Sequence, residues 1–550
     1  MRMNTIGKWS LKAGSIIVIL IFLAFIALYI LIDRTVDRVY GGQTKVADHV
    51  QFQVDAQPTE ITNVNVLSPD GTKMLPDRTV FLDDGKIISI TPDAGIPEGV
   101  STIDGRGKYL IPGLTDSHVH MQRSPNDLLL YVANGVTQIR SMGGSNADLA
   151  LKSEIENGRI GPHFYVSSPS MNSADGFGEV AETLPSWIPG PVSVWLAEKV
   201  FNIHIAKDAT TAAGDARSFI KNGHNGFKLY QFLTMDAFSA ILEVAEELDV
   251  PTAAHLPEAL PLSELRTTKL REIAHIEEIV KKLLGEFGDF ESREGSAAFL
   301  EFVNSRKDEI VADIVANDIS VQSTLWLSES FYDQVFSIEV ILAVVKLEYA
   351  NPGIVEGVPA SADGSFPGGW IPGRNKFEAY AGNEPDEIAR QREFWDAREE
   401  AHRILLRAMV NGGVTILAGT DANAWLTVPG FSLHDELQSL NRAGMSPAQT
   451  INAATAAPAH RINNNAGIIE VGRRADLVLL NANPLTDIRN TTAIDTVILN
   501  GKILGRPQLD AMLDSVKAAN ASSRTIDISA YQMRGSANRI RIDQHSPLPN

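Results

Sequence analysis

Tyr109-Leu110-Ile111-Pro112-Gly113-Leu114-Thr115-Asp116-Ser117-His118-Val119-His120 is the stretch on which the reading of the chain turns. An apolar run ends in two histidines separated by Val119, and the two-residue period of a strand puts His118 and His120 on one side. Imidazoles so placed can grip one metal ion, although two ordinary polar histidines at a strand end would look the same. Working outward, short apolar strands alternate with helical stretches from about Tyr109 to Gly413, among them GVTQIRSM (135–142), FKLYQF (227–232), DAFSAILEVAEEL (236–248) and VPTAAHL (250–256). Strands alternating with helices imply a parallel sheet, and this many units predicts an α/β fold with a closed (β/α)8 TIM-like barrel over 113–460.

Antiparallel patterns stand on both sides of that region. NVNVL, TVFLDD and KIISI follow Ile61 and are broken by Asp70-Gly71 and Asp84-Gly85, which are hairpin turn signals. The pattern returns as IIEVG, ADLVLLN and DTVILNGKIL after Gly467. A barrel brings its ends together, so segments 58–112 and 465–505 are expected to pair into one small β-sandwich.

Residues 13–32, AGSIIVILIFLAFIALYILI, carry no charge and as a helix would reach about 30 Å, the thickness of a bilayer core. The run is longer than the usual apolar stretch of a cleaved signal and passes directly into Asp33-Arg34, which predicts an uncleaved transmembrane signal anchor over the alternatives of a cleaved signal or a buried core helix. Arg2, Lys8 and Lys12 precede it with no acidic residue, so the N-terminus is expected in the cytoplasm and the catalytic body outside, in the periplasm if the cell is Gram-negative. Residues 35–57 read as a polar stalk, and the tail 506–550 gives no firm pattern.

With 48 basic and 67 acidic residues, the formal charge of −19 argues against a nucleic-acid partner, because a phosphate backbone is bound by clustered Lys and Arg. The absence of cysteine removes disulfide scaffolds, thiolate zinc sites, iron–sulfur clusters and a cysteine nucleophile together, leaving His, carboxylate or a modified side chain to hold a metal. His255 in PTAAHLP and His275 in EIAHIEE each end a short apolar strand, and Asp421 ends VTILAGTD, where barrel active sites are built. Taken singly, the histidines could be hydrogen-bonded structural groups and the aspartate a helix cap. Lys228 sits inside the apolar strand NGFKLYQF, where an ammonium is costly unless it is paired, reaches a strand edge, or has reacted with CO2 to become a carbamate.

Together these residues resemble the amidohydrolase superfamily, and more closely its members with a lysine-bridged binuclear centre, the prolidase- and amidase-like enzymes. The resemblance runs over about 58–505 and includes Ala453-Ala454-Thr455-Ala456-Ala457-Pro458-Ala459 and Gly472-Arg473-Arg474-Ala475-Asp476-Leu477. It implies two divalent metal ions, zinc first, bridged by a CO2-derived carbamate on Lys228. His118, His120 and Asp421 would hold one ion, and His255 and His275 the other. It further implies a bridging hydroxide as nucleophile, Asp421 as the catalytic proton carrier, and hydrolysis of a C–N bond in a small amide, cyclic amide or dipeptide-like substrate.

Substrate contacts are expected from Arg140, from Tyr230 on the same side of the strand as Lys228, and from Trp326 after ISVQSTL. The long segment 327–386, rich in Gly, Pro and aromatics, reads as a lid, with Arg374 as a candidate carboxylate contact. The loop SSPSMNSADGFGE lacks the Gly-Gly-His-Gly type stretch that dipeptidase-like relatives carry, which leaves an ester, lactone or phosphotriester open as alternative substrate, besides a non-catalytic binding protein of the same fold. A homo-oligomer is compatible with the sequence.

Overall fold

A computed structural model describes residues 5–92, 100–174, 190–288, 290, 295–358 and 368–534. It shows an α/β fold in which a mixed sheet flanks a body of parallel strands and helices. The strands of the first segment are β1 (Thr59–Leu67), β2 (Met74–Asp83), β3 (Lys86–Thr91), β4 (Ser101–Asp104) and β5 (Tyr109–Pro112). The body then supplies β6 (Leu114–Val119), β7 (Val136–Ser141), β8 (His163–Val166), β9 (Ser170–Ser173), β10 (Ile203–Ala206) and β11 (Phe227–Leu229). It continues with β12 (Thr252–Ala254), β13 (Glu272–Ile273), β14 (Ser320–Gln322) and β15 (Ile416–Leu417), and the chain returns through β16 (Leu477–Leu480), β17 (Ile494–Leu499) and β18 (Lys502–Gly505).

The two outer segments pair within one eight-stranded sheet of order β18-β17-β16-β5-β1-β2-β3, with β4 beside β1. The seam is antiparallel, Leu477 opposite Pro112 and Leu480 opposite Tyr109, and the β16 residues facing it are all buried. A hydrophobic strand that is buried on both faces has no alternation to display, which is why ADLVLLN reads as a continuous apolar run.

In the body, parallel pairing runs from β6 to β7 to β8, and from β11 through β12, β13 and β14 to β15. Ser168 N–H donates to Gly226 O at 2.8 Å and Asn225 N–H to Val166 O at 2.7 Å, linking β8 to β11. Ser117 N–H donates to Ala418 O at 2.9 Å, and Val119 bridges Ala422 in parallel, linking β15 back to β6. Leaving aside β10, which pairs with β9 alone, each body strand thus has a neighbour on either side. Its backbone groups are satisfied inside the protein, and its loops emerge together at the C-terminal ends.

Several expectations are corrected. Residues 13–32 lie within the single helix α1 (Thr5–Val39), but among the described residues no helix is long and apolar enough to cross a membrane, so the transmembrane anchor is not shown. The side chains of residues 5–18 and 21 lie outside the described ones; from Ile19 to Leu31 the large apolar side chains that are described stand largely exposed. Residues 35–57 are no free stalk. Tyr40 Oη donates to Val200 O at 2.8 Å, Thr44 Oγ1 to Asn351 Oδ1 at 2.7 Å, and Ala47 and Phe52 are buried. The segment 327–386 is not one loop, because it contains helices Leu325–Phe336, Ile338–Leu342 and Pro352–Glu356 and the start of Pro385–Gly412. Part of its Gly-rich stretch, 359–367, lies outside the described residues, as does the end of SSPSMNSADGFGE. The tail begins as a helix, Arg506–Ser523, that buries Leu509, Met512 and Val516 at i, i+3 and i+7.

Candidate metal centre

The six ligand-type residues come to one place because each ends a neighbouring strand. His118 lies in β6 and His120 just beyond it; Lys228 lies in β11; His255, His275 and Asp421 follow β12, β13 and β15. His118 Nε2 is 3.3 Å from Lys228 Nζ and 3.3 Å from Asp421 Oδ1, while His120 Nε2 is 2.9 Å from the same oxygen. His255 Nε2 and His275 Nε2 face each other at 3.2 Å, and the rings of His118 and His275 stack at 4.4 Å. Donor atoms of His118, His275 and Asp421 all lie within 4.8 Å of one another.

The outward nitrogens explain why the Nε2 atoms converge. His118 Nδ1 meets Gln322 Oε1, His255 Nδ1 lies 2.9 Å from Glu278 Oε1, and His275 Nδ1 lies 2.9 Å from Thr324 Oγ1. A proton held on Nδ1 by an acceptor leaves the Nε2 lone pair directed inward, the form that binds a cation. Burial lowers the pKa of all three imidazoles, with the Lys228 charge adding to it, so they are neutral at physiological pH. Asp421 Oδ1 is buried among these nitrogens yet no hydrogen bond of acceptable geometry reaches it. Inward lone pairs facing an unsatisfied carboxylate oxygen are the donor set a divalent cation would complete, and His118, His275 and Asp421 fit such an ion.

Lys228 is 1% exposed, and burial brings its pKa down to about 8 against the pull of Asp421. Glu278 is buried; burial alone would raise its pKa, but His255 and Lys281 beside it hold it well below the usual carboxylate range. Asp421 itself sits at φ +60°, a left-handed conformation costly for a non-glycine residue, and is held there by donating its N–H to His118 O at 2.8 Å. Asp116 ties the same two strands together, accepting from Thr420 Oγ1 at 2.7 Å and Thr420 N–H at 3.0 Å.

The expected substrate contacts divide. Tyr230 lines the cavity over the cluster, with its ring 4.5 Å from that of His255 and its hydroxyl pKa pushed up to about 12 by burial. Arg140 does not line it: it is fully buried, with Nη2 3.0 Å from Glu272 Oε1, and Glu272 also accepts from the Gln322 amide that holds His118. Arg140 therefore steadies His118 through two intermediates and does not reach the cavity. Trp326 is likewise in the core beside Ile338 and Leu342, and Arg374 donates to Glu356 O at 2.6 Å.

Glu278, Gln322 and Thr324 escape a sequence reading, since each acts on a histidine carried by another strand. The one local signal is that Glu278 falls in the first turn of the helix after His275, where an acid is ordinarily taken as a partner of the helix dipole. His163, His204, His224 and His434 have partners of their own outside this cluster.

The amidohydrolase family model matches residues 382–504. An adenine deaminase of Chelativorans sp. (strain BNC1) is 26% identical over 225 residues, 36% of this chain and 37% of that protein. A dihydroorotase of Mycobacterium tuberculosis (strain ATCC 25618 / H37Rv) is 33% identical over 72 residues, 13% of this chain and 16% of its own. The match to the adenine deaminase thus spans little more than a third of that relative's length. Among solved structures, a bottromycin amidohydrolase superposes with TM-score 0.62 at 21% identity, covering 88% of this chain and 94% of that one. A prolidase complexed with N-methylphosphonate-L-proline gives 0.58 at 19% identity, over 82% and 100%. In its matched family model over 382–504, in its sequence relatives and in its fold, the chain is similar to amidohydrolases.

Proposed function

We propose that the chain is a metal-dependent hydrolase of C–N bonds in small amides, with the circular order of parallel strands forming a (β/α)8 barrel. The observation that carries the reading is the convergence of His118, His120, Lys228, His255, His275 and Asp421, with Asp421 Oδ1 facing imidazole nitrogens and lacking a hydrogen bond. His118, His120 and Asp421 would hold one divalent ion, zinc first by donor type, and His255 and His275 the other, with Lys228 between them as a carbamate. Such ions supply a polarised scissile carbonyl and a water of lowered pKa.

The protein's own groups account for the rest. Asp421, at the mouth of the cluster, can take a proton at its carboxylate and return it to a leaving amine. Glu278, Gln322 and Thr324 keep the three imidazoles in the tautomer that presents Nε2. Tyr230 keeps its phenol proton at neutral pH and can donate it to a developing oxyanion. The alignment of this chain with an adenine deaminase and a dihydroorotase, both named for C–N chemistry, supports an amide over an ester.

The test is metal content together with turnover. Wild type should carry two equivalents and hydrolyse at least one of a panel of N-acyl amino acids, dipeptides and cyclic amides. Lys228→Ala should lose metal and activity, both partly restored by a short carboxylate. Two equivalents retained in Lys228→Ala would sink the bridging role, and no metal-dependent turnover across the panel would sink the hydrolase.

A further inference from the structure

The cavity that holds the metal-ligating cluster has a volume of about 2360 Å³, whereas pockets for compact small molecules span roughly 300–1,000 Å³. The cluster with Tyr230 occupies only part of its wall. Another part is made by the last turns of α1, whose Leu31, Ile32, Val36 and Val39 line the same space, joined by Phe201 and Phe232. The spacing explains the face: Ile32 and Val36 are four residues apart and Val39 three further, so they lie on one side of the helix.

That side is fixed against the site by polar contacts. Asp33 pairs with Lys199 at 2.9 Å and Asp37 with Arg123 at 3.0 Å, and Arg123 follows His120 by three residues. The result is an apolar surface, anchored at its edges and continuous with the ligands of the candidate metal centre. From Leu31 back to Ile19 the same helix goes on presenting exposed apolar side chains, with Tyr29 stacked on Trp195 at 5.9 Å. Val36 and Val39 are already buried and form the floor, but a dipeptide would leave Leu31, Ile32 and Phe201 wet, and burying these against substrate removes apolar area from water on both partners.

We propose that the cavity takes an amide bearing a long unbranched apolar chain, the chain lying along the Leu31–Val39 face of α1 while the amide reaches the six-residue cluster. This rests on the hydrolase reading and adds the substrate class. The chain's occupant site is the groove between α1 and the helix Gly190–Phe201, and its recognition is by area alone, so affinity grows with length until the groove is full.

The experiment uses the full chain, kept in digitonin because that rigid detergent has no flexible tail to compete. Two series are measured in parallel: KM for N-acyl glycines of two to fourteen carbons, and calorimetric Kd for saturated carboxylic acids of the same lengths, which hold no amide to cleave. Both constants should fall by about fourfold per added methylene over the middle of the series. Leu31→Asp, at a largely exposed position, and Thr35→Asp should each cut the ratio of two-carbon to twelve-carbon constants by tenfold or more. Constants independent of chain length in wild type, or ratios unchanged in both variants, would overturn the proposal. Chain-length-dependent binding of the acids without turnover of any amide would uphold the groove and remove the hydrolase. Turnover without chain-length dependence would do the reverse.

Discussion

Replacing Lys376 with methionine should make the protein more stable at neutral pH, and the gain should vanish in alkali. Lys376 opens the short helix Lys376–Ala381 and lines the cavity, with Nζ 3.9 Å from the ring centre of Trp425 and 5.3 Å from that of Phe377. Among the described residues it makes no hydrogen bond or ion pair. Burial brings its pKa from 10.5 down to about 8, with Glu277 pulling the other way and Lys281 adding to the drop.

A fall from 10.5 to about 8 is worth roughly 3 kcal/mol, at ~1.36 kcal/mol for each tenfold change in proton affinity. Partial exposure and the lost contact with Trp425, roughly 0.5–1 kcal/mol, reduce the expected gain to about 1–2 kcal/mol. Proton counting fixes the sign. Between pH 8 and 10.5 the unfolded chain keeps the lysine proton that the folded chain has lost, so wild-type stability rises with pH over that window. Below pH 8 both states are protonated and wild type carries the full cost. Urea midpoints of wild type and Lys376→Met at about pH 7 and about pH 10 measure this directly. A variant less stable than wild type at neutral pH, or an advantage that does not shrink in alkali, would refute the reasoning.

Three further outcomes are expected. Glu278→Gln takes away the carboxylate at His255 Nδ1 and should weaken metal binding by about 10- to 100-fold in chelator competition; unchanged affinity would count against Glu278 as an orienting group. A methyl at Gly419 would stand 2.9 Å from His118 Cβ and 3.0 Å from its backbone nitrogen, so Gly419→Ala should lower metal stoichiometry while leaving far-UV circular dichroism unchanged, and full metal content would show that the strands can yield. His204 sits between Asp215 at 2.8 Å and Glu198 at 3.4 Å. Burial alone would lower its pKa, but these carboxylates outweigh it and raise it above 6.5. The stabilisation is therefore complete below pH 6.5 and lost as pH rises through the folded value, so His204→Gln should lower the thermal midpoint at about pH 6 more than at about pH 9, and equal losses at both would dismiss the charge.

The candidate metal-ligating residues are legible because each announces itself locally: a histidine, lysine or aspartate at or just past the end of a short apolar strand needs only the neighbouring residues to be noticed. Their surroundings are not. Gln322 is 204 residues from His118, and Glu272 is 132 from Arg140, so no window on the chain contains both members of either pair. An arginine is costly inside, which on sequence grounds places Arg140 at the surface of the site; its carboxylate partner, supplied by another strand, makes the interior tolerable. The segment 327–386 reads as a loop because its glycines and prolines are conspicuous. The helix Leu325–Phe336 is buried along nearly its whole length, Ser328, Ser330, Asp333 and Gln334 included, so its polar residues do not mark an exposed face that would reveal its period.

The last turns of α1 have a practical bearing on how the protein is handled. The usual remedy for an oily leader is to cut it away and express the remainder. Here a polypeptide started at residue 40 would lose Leu31, Ile32, Val36 and Val39, and with them one side of the cavity over the candidate metal centre, along with the Asp37 tether of Arg123. If the cavity takes long-chain amides as proposed above, such a truncated protein would favour short ones, and its substrate profile would misreport that of the intact chain.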